Sequence, residues 1–465
     1  MRCLILSLLW ISAAVLPVPA EVHTFRLDQE QLWFGADQEQ LTTLLENFAV
    51  AGVRVQIDPS VEGVVSGSWS GENVEEVLDQ LISPYDYLLD WQREAGPLGN
   101  RITLTGIRVF RKGYSEAVRP LRAVRRIETA LNGSRFLARE ILIGFGPDST
   151  MDDLRLFLAR TGGTVIESNS ALGIYRILLP EGVNIPELAE QFSNDENIAL
   201  AEPNYIYDLP GLLPGSTAAS GASKPWTAPS GDGAIAVAVL DSGLVFDENL
   251  SEAVLSAFDA LNPDAPLTAD AIGHGTLMAK LAAGVVDPYN TQVGEGVPVV
   301  AIKAFADDGS ADSYTLMSAM THAVANSDGP VSLSWGSETP SQFVEHAVQY
   351  AIENGSPVFA AVGNENTGRM MYPAAYPGVI GVAASDGDQL ASYSNRGDFV
   401  DIIAPGSAGG SQGTSISTAY VSHIAAKYMR ANPEASASQA MDALLRAAGP
   451  DRFLSADDVA RLLAK

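Results

Sequence analysis

The sequence predicts an α/β protein in which residues 226–465 form a doubly wound, mostly parallel β-sheet and two small α+β domains precede it. The chain has 465 residues, enough for about three domains at roughly 100–200 residues each. The apolar stretches Ala236–Leu240 and Val358–Val362 have the length and continuity of strands buried in a parallel sheet. Residues 209–230 are rich in Pro, Gly, Ser and Ala, a composition typical of a linker.

Acidic residues dominate the charge of the chain. Asp and Glu number 56 against 28 Lys and Arg, which gives a formal net charge of -28. Because nucleic-acid phosphates would be repelled by this charge, we expect no nucleic-acid partner. Apolar residues make up 46% and charged residues 18% of the chain, which is the balance of a globular protein and not of a disordered one.

Residues 1–20 have the features of a secretory signal peptide. Arg2 precedes an apolar run, and Val18-Pro19-Ala20 supplies small residues at its end. The run is too short for a comfortable membrane span, so we expect a secreted or periplasmic protein; a buried N-terminal strand or helix is the alternative. Cleavage after Ala20 would remove Cys3, the only cysteine, so the mature chain would have no disulfide and no cysteine chemistry.

Residues 22–112 predict the first α+β domain. Apolar residues recur with helical spacing in Leu41–Val50 and Asn73–Leu81, and shorter apolar segments predict strands. This order of segments resembles the short domain at the N-termini of secretins and TonB-dependent receptors, a docking module without catalysis. The resemblance implies an envelope partner bound through residues 22–112. The predicted strands are Val53–Ile57, Val64–Trp69, Tyr87–Trp91 and Ile102–Phe110.

Residues 133–208 predict the second α+β domain, after a basic connector at 113–132. Helices predicted at Met151–Thr161 and Ile185–Phe192 alternate with strands. An unrelated ferredoxin-like domain would have the same order of elements. The domain ends in Ala201-Glu202-Pro203-Asn204-Tyr205, directly before the linker.

Four short blocks in the C-terminal half carry side chains that together could form one catalytic site. Asp241 ends the strand Ala236–Leu240, at the edge where open parallel sheets place their sites. His274 lies between two glycines at the start of an apolar helix, Asn364 follows an apolar strand, and Ser415 begins a helical stretch. Each block alone recurs by chance, but all four in this order and setting are unexpected in an unrelated chain.

These residue types suit nucleophilic catalysis by a serine. The Ser415 hydroxyl is a poor nucleophile at neutral pH and needs a base such as the imidazole of His274. A carboxylate, Asp241, must hold the other ring N–H so that the imidazole presents the correct tautomer. The backbone N–H of Ser415 and the side-chain amide of Asn364 can donate to the developing oxyanion. In isolation, Asp241 fits a solvated strand end and Asn364 a helix cap or turn residue.

Together the four blocks resemble the subtilisin-like serine proteases, or subtilases. The resemblance implies a secreted serine endopeptidase in which Asp241, His274 and Ser415 form the triad and Asn364 stabilises the oxyanion. It implies protein or peptide substrates and no cofactor for the chemistry, and it allows a structural calcium ion. No dense Asp or Asn loop marks a metal site, so the metal ligands are unknown.

Further segments match the substrate-binding parts of this family. Ser334-Trp335-Gly336 resembles its edge strand, where backbone groups pair with an extended peptide. Tyr372–Pro377 resembles its pocket loop. Gly363 and Glu365 flank Asn364, and Glu365 would favour basic side chains before the scissile bond if it lines the pocket.

The ending Glu202-Pro203-Asn204-Tyr205 and its position before the linker make the second α+β domain resemble the propeptide of subtilases. The resemblance implies that residues 133–208 are a folding chaperone and a product-like intramolecular inhibitor. It also implies a self-processing zymogen that is cut within residues 209–230.

The segment after the nucleophile departs from the family pattern, most clearly at two positions. Ala419 stands where the family has a helix proline, and His423 stands where it has a packing glycine. They affect helix packing and pocket shape and remove no catalytic group. The alternative function is a catalytically silent subtilase fold that serves as a binding or envelope-docking protein. An esterase would show a Gly-x-Ser-x-Gly elbow, which Gly413–Ser417 is not.

Overall fold

The computed structural model describes residues 25–464 with gaps at residues 29, 52, 97–98, 116–117, 122–125, 147–148, 181, 194, 196, 216–224, 230–234, 264–265 and 290–294. The predicted signal peptide and the middle of the predicted linker lie outside the described residues. The chain divides into two compact units, Met1–Val124 and Arg125–Lys465. Within the described part, no helix is both long and apolar enough to cross a membrane.

The first unit contains two small sheets that share a core with two helices. Its elements are β1 (Arg26–Asp28), β2 (Gln31–Gln40), α1 (Leu41–Val50), β3 (Arg54–Ile57), β4 (Val64–Asn73), α2 (Val74–Leu81), β5 (Asp86–Gly96), β6 (Gly99–Phe110) and β7 (Arg119–Pro120). One sheet has the order β1-β2-β4 and the other β5-β6-β3-β7, in which β3 and β6 are parallel. Buried side chains such as Leu44, Phe48 and Leu78 form the core.

The helices and strands predicted for this unit are confirmed, and the structure adds two features. The β1–β2 pair is not predicted, because polar residues fill much of β2 and hide its alternation. The strand β7 pairs with β3, and Leu121 N donates to Val55 O at 2.8 Å. The unit therefore extends past residue 112 into the predicted connector.

The second unit begins with an antiparallel sheet covered by two helices. Its elements are β8 (Ile127–Thr129), β9 (Arg135–Phe145), α3 (Met151–Thr161), β10 (Thr164–Asn169), β11 (Ile174–Leu178), α4 (Ile185–Phe192) and β12 (Ile198–Asp208). The strand order is β10-β11-β9-β12, and β8 pairs with β9. Thr150 and Asp153 form a capping box at the start of α3, which explains why that helix begins where it does. Because β8 belongs to this sheet, the domain starts before residue 133.

The remainder of the second unit is built around an eight-stranded sheet. Its elements are β13 (Leu213–Pro214), β14 (Val237–Asp241), β15 (Val254–Asp259), α5 (His274–Ala283), β16 (Val299–Lys303), β17 (Ser310–Asp312), α6 (Ser313–Asn326), β18 (Val331–Leu333), α7 (Gln342–Glu353), β19 (Val358–Ala361), β20 (Ile380–Asp386), β21 (Gln389–Leu390), β22 (Ile402–Pro405), β23 (Ser407–Ala408), β24 (Ser411–Gln412), α8 (Thr414–Ala431), α9 (Ala437–Ala448) and α10 (Ala456–Leu463). The order is β15-β16-β14-β18-β19-β20-β21, with β22 also beside β20. All pairings are parallel except β20–β21.

Helices cover both faces of this sheet, as predicted for a doubly wound fold. Along β14, Ala238 and Leu240 enter the core that contains α6 and α7. The alternate residues Val237 and Val239 enter the core that contains α5 and α8. Because successive side chains of a strand point to opposite faces, a continuous apolar strand needs such a layer on each side.

Helix α8 runs unbroken through Ala419, so the missing proline leaves no kink. His423, on the same helix, lies against the end of α5. Its Nδ1 is 2.9 Å from Ala282 O, and a Cβ on Gly284 would lie 2.5 Å from its ring. Gly284, with φ 75°, therefore makes room for the bulky residue that stands where the family has a glycine.

The strand β12 joins the first part of the second unit to the large sheet domain. It pairs antiparallel with β17, with Ile206 opposite Asp312 and Asp208 opposite Ser310. Between them, Tyr207 is buried edge-on against Trp335, with ring centroids 5.7 Å apart. The two parts therefore share both a sheet and a hydrophobic core.

Two polar side chains of β12 cap helices of the large domain. Glu202 accepts hydrogen bonds from Ser341 Oγ at 2.8 Å and Gln342 N at 3.0 Å, at the start of α7. Asn204 Oδ1 accepts one from Tyr314 N at 3.1 Å, at the start of α6. These contacts satisfy helix N–H groups that would otherwise lack partners in a buried interface.

Candidate active site

The four predicted catalytic residues come from distant parts of the sequence and lie on elements that meet at one edge of the sheet. Asp241 is the last residue of β14, and Asn364 follows β19. His274 is the first residue of α5, and Ser415 lies in the first turn of α8. Because the carboxyl ends of parallel strands open onto a common crevice, this edge is where an active site is expected.

Asp241 and His274 form a buried hydrogen-bonded pair. The distance between Asp241 Oδ1 and His274 Nδ1 is 2.7 Å, and the residues are 1% and 2% exposed. A carboxylate only accepts hydrogen bonds, so Nδ1 carries the proton and Nε2 presents its lone pair. Nε2 is buried and has no hydrogen-bond partner in the structure. The ring is therefore held in the tautomer that a general base requires.

A second buried carboxylate, Asp270, organises the turn before His274 and was not predicted. It accepts hydrogen bonds from Gly273 N, Thr276 N and Ser242 Oγ, each at 2.8 Å. Burial acts to raise the pKa of Asp270, but the hydrogen bonds from Thr276, Gly273 and Ser242 outweigh it and lower the pKa. Its position four residues before His274 is the signal that the sequence offered.

Lys303 is a second unpredicted residue beside the triad. It ends β16 opposite Asp241 in the parallel register and is fully buried. Its Nζ donates to Ser242 O at 2.7 Å and to Asp307 Oδ1 at 2.9 Å. A lysine at the end of the apolar strand Val299–Lys303 was the sequence signal, and its contacts fix the turn that follows Asp241.

Ser415 is completely buried and contacts the predicted substrate-binding edge. Its Oγ donates to Ser334 O at 3.2 Å, and Ser334 Oγ donates to Ser415 O at 3.3 Å. The hydrogen bond between Ser415 Oγ and His274 Nε2, which proton transfer needs, is not formed in this structure. Catalytic hydrogen bonds commonly tighten only when substrate binds.

Hydrogen bonds to Thr414 fix the orientation of the Asn364 side chain. Its Oδ1 accepts hydrogen bonds from Thr414 N at 2.9 Å and Thr414 Oγ1 at 3.0 Å, which leaves the Nδ2 end to donate. Gly363 has φ 99°, and a Cβ there would lie 2.5 Å from Asn395 Nδ2. Only glycine fits this turn, and the turn sets the direction of Asn364.

The predicted substrate-binding residues contribute in different ways. Trp335 is 1% exposed and packs against Tyr207 and Phe305, so its ring belongs to the core and only its backbone can face a substrate. Glu365 is exposed, and its Oε2 accepts a hydrogen bond from Asn395 Nδ2 at 2.9 Å. Its carboxylate is therefore held beside the turn at Gly363.

The chain that leaves β12 crosses the site itself. Leu209 N donates to Gly309 O at 2.8 Å, which extends the pairing with β17. Leu213 then pairs with Gln412 in β24, three residues before Ser415, and Gly215 N donates to Gly410 O at 2.9 Å. The start of the predicted linker thus runs from the edge strand β17 to the strand that leads to the nucleophile.

The described residues contain no group of three or more His, Cys, Asp or Glu side chains that could hold a metal ion. The structural calcium ion that the resemblance allows therefore has no such site among them.

Comparison with known proteins identifies the two parts of the second unit. The sequence model of the subtilase family matches residues 232–460, and that of the fervidolysin N-terminal prodomain matches residues 122–204. The chain is 26% identical over 306 residues to a thermophilic serine proteinase of Bacillus sp. (strain AK1), which covers 63% of this chain and 75% of that protein. It is 32% identical over 215 residues to subtilisin Savinase of Lederbergia lenta, which covers 43% of this chain and 77% of that protein.

A solved structure agrees with the architecture. Fervidolysin from Fervidobacterium pennivorans, described as a keratinolytic enzyme related to subtilisin, matches with a TM-score of 0.58 at 20% identity and covers 72% of this chain and 62% of that chain. At this identity the likeness shows the fold alone. The resemblance of residues 22–112 to the secretin and TonB-receptor domain stays a prediction. The chain itself belongs to the subtilase family of serine proteases and carries a fervidolysin-like N-terminal prodomain.

Proposed function

We propose that this protein is a secreted serine endopeptidase, made as a zymogen, that hydrolyses peptide bonds with Asp241, His274 and Ser415. The observation that carries the proposal is the buried 2.7 Å contact between Asp241 and His274, at the same sheet edge as Ser415. A catalytically silent fold does not require a histidine held in the tautomer that can act as a general base. No observation favours that alternative function.

In the first half of the reaction, Ser415 Oγ attacks the carbonyl carbon of the substrate while His274 Nε2 takes the hydroxyl proton. The negative charge that develops on the carbonyl oxygen is stabilised by the Ser415 N–H and by Asn364 Nδ2. Asp241 stabilises the imidazolium that forms. The imidazolium then gives its proton to the leaving amine, the C–N bond breaks, and an acyl-enzyme remains.

Water completes the reaction. It attacks the ester carbonyl carbon while His274 Nε2 takes one of its protons. The proton then passes to Ser415 Oγ as the ester bond breaks, which releases the carboxylic acid and restores the enzyme. No step requires a cofactor or a metal ion.

We propose further that the prodomain inhibits the enzyme until the chain is cut within residues 209–230. Two contacts support this proposal: the pairing of β12 with β17, and the path of residues 209–215 past the nucleophile. The predicted signal peptide supports a secreted or periplasmic location, and residues 22–112 are proposed to bind an envelope partner.

The first prediction concerns the oxyanion donor. Asn364→Leu in the processed enzyme lowers kcat by about 10²–10³ and changes KM little, because the lost hydrogen bond forms only as charge develops. Steady-state kinetics on a peptide substrate measure this effect. The same substitution at Asn326, exposed at the end of α6, is the control. A variant at Asn364 with kcat within threefold of the wild type would rule out this role.

The second prediction concerns self-processing. The full-length chain cuts itself within residues 209–230, while Ser415→Ala and His274→Ala stay full length and Asn364→Leu is cut slowly. Proximity helps the first cut, because the tail of the prodomain is already held at the site. Intact mass over time measures it, with Ser422→Ala, a buried serine farther along α8, as the control. Maturation of Ser415→Ala at the wild-type rate without another protease would refute catalysis by Ser415.

The third prediction concerns the prodomain as inhibitor. Residues 126–208, supplied separately, inhibit residues 226–465 at micromolar concentration, and Asn204→Ala weakens this inhibition by about tenfold because Tyr314 N, at the start of α6, loses its hydrogen-bond acceptor. Gln191→Ala, on the exposed side of α4, is the control. An absence of inhibition by the wild-type prodomain would contradict the assignment.

This inhibition also depends on pH. Burial in the docked prodomain raises the pKa of Glu202 more than the hydrogen bonds from Gln342 and Ser341 lower it. The prodomain therefore binds most tightly when Glu202 is protonated, and the affinity falls as pH rises through the raised pKa. Binding to the Ser415→Ala domain, measured across this range, shows the fall, and Glu202→Gln removes it.

The fourth prediction concerns the N-terminal unit. Deletion of residues 22–121 removes β7 together with its partner strand β3. We expect peptide turnover to be unchanged, because the proposed catalytic groups all belong to the second unit. Peptidase activity of the shortened chain measures this. Complete loss of turnover in a folded product would show that the unit belongs to the active enzyme.

A further inference from the structure

A methionine side chain fills the space between the two glycine segments that flank the nucleophile. A Cβ on Gly336 would lie 3.4 Å from Met371 Cε, and a Cβ on Gly363 would lie 3.3 Å from Met371 Cγ. Met371 is 9% exposed, so its side chain reaches from one glycine to the other and is nearly enclosed. We call the space between Gly336 and Gly363 the glycine slot.

The glycine slot is where the residue before the scissile bond must place its side chain. Ser334, two residues before Gly336, contacts Ser415 through its carbonyl oxygen, and Asn364 directly follows Gly363. The two segments that border the slot therefore also border the place where Ser415 and Asn364 would hold a substrate carbonyl group, and the side chain next to that carbonyl would lie nearest to the slot. Met371 occupies the space between the two glycines, and the polar ends of Asn395 and Glu365 border it, 2.5 and 2.6 Å from the Cβ position of Gly363.

The tail of the prodomain supplies an independent observation. Leu209 is bound to Gly309 on one side of the site, and Leu213 is paired with Gln412 on the other. Leu212 Cδ2 lies 3.8 Å from the Cβ position of Gly413, so Leu212 already belongs to the second side. The residue just before it is Gly211, which is exposed, and a Cβ there would meet no atom within 4 Å. In this structure Gly211 therefore lies outside the glycine slot and must move toward Ser415 before the chain is cut.

We propose that Met371 closes the glycine slot to large side chains, so that the enzyme cuts after glycine and other small residues, and that the bond it cuts in its own chain is Gly211–Leu212. In that cut the bond between the Gly211 carbonyl carbon and the Leu212 nitrogen breaks. Ser415 Oγ takes the acyl group, and its proton passes through His274 to the new amine of Leu212. Water then hydrolyses the ester. This inference rests on the proposed peptidase function and adds its substrate class.

The proposal differs from the expectation for Glu365. A carboxylate lining the pocket would favour Lys or Arg before the scissile bond, but a long basic side chain would have to share the slot with Met371. A preference for basic residues is therefore the competing outcome of the test.

The first experiment follows the full-length chain by intact mass and N-terminal sequencing. The wild type yields a product that begins at Leu212, and Gly211→Ala is cut at a rate within about threefold of it. Gly211→Phe slows cleavage at this bond by on the order of 100-fold, because the slot has no room for a ring. Adding Met371→Ala to Gly211→Phe restores cleavage, whereas Met370→Ala, at the exposed neighbouring residue, does not.

The second experiment uses the processed enzyme and peptides that differ only in the residue before the scissile bond. We expect kcat/KM to be highest with Gly or Ala, and Met371→Ala to raise the ratio for Phe over Ala by at least about tenfold. Preferred cleavage after Phe or Lys by the wild type, a product that begins elsewhere, or normal cleavage of Gly211→Phe would each overturn the inference and leave the peptidase function standing. If no peptide is cut and the full-length chain stays whole, the proposed function fails, and this inference fails with it.

Discussion

The burial of helix α8 is the constraint on which the arrangement of the active site depends. Of its 18 residues, 14 are buried, including every residue from Thr414 to Ala426. It packs beneath the large sheet and against α5, so the start of one buried helix fixes Ser415 relative to the strand ends and to the helix that carries His274.

The polar residues of α8 satisfy one another: Thr418 Oγ1 donates to Thr414 O, and Ser422 Oγ donates to Thr418 O. A change of helix packing is therefore a change of active-site geometry, and the fit of His423 to Gly284 shows how tightly this packing is specified.

The prodomain completes surfaces that the large domain leaves open. The edge strand β17 gains its partner from β12, α6 and α7 gain caps from Asn204 and Glu202, and the core gains Tyr207. Unpaired strand edges and buried helix ends are costly when they lack partners, so these contacts favour the folded large domain. If the prodomain inhibits the enzyme as proposed, the same contacts that hold it there would also assist folding of the large domain.

Much of the fold could be predicted, and a catalytic set could be proposed, because chemistry and burial restrict the residues allowed. The triad of this family has the order acid, base and hydroxyl along the chain. The strand Ala236–Leu240 is apolar because both its faces are buried. Other features depend on contacts between distant segments. The roles of Asp270 and Lys303 follow from the folding of the turn after Asp241, and the role proposed for Met371 follows from its place against Gly336 and Gly363. Local spacing places Asp270 near His274 and Lys303 at a strand end, but it does not contain these contacts. The strand β2 was missed for a different reason, because its polar residues hide the alternation.

The short pairing of β13 with β24 has a consequence for the speed of activation. A cut just before this pairing would free a new chain end while its next residues were still hydrogen-bonded to the strand that leads to Ser415. That end would lie on the leaving-group side of the cleft and compete with incoming peptides. Turnover would then begin only after the new chain end had dissociated from β24, which is a local unfolding event and not a chemical step. The delay before activity would be set by two strand residues, independently of how fast the triad works.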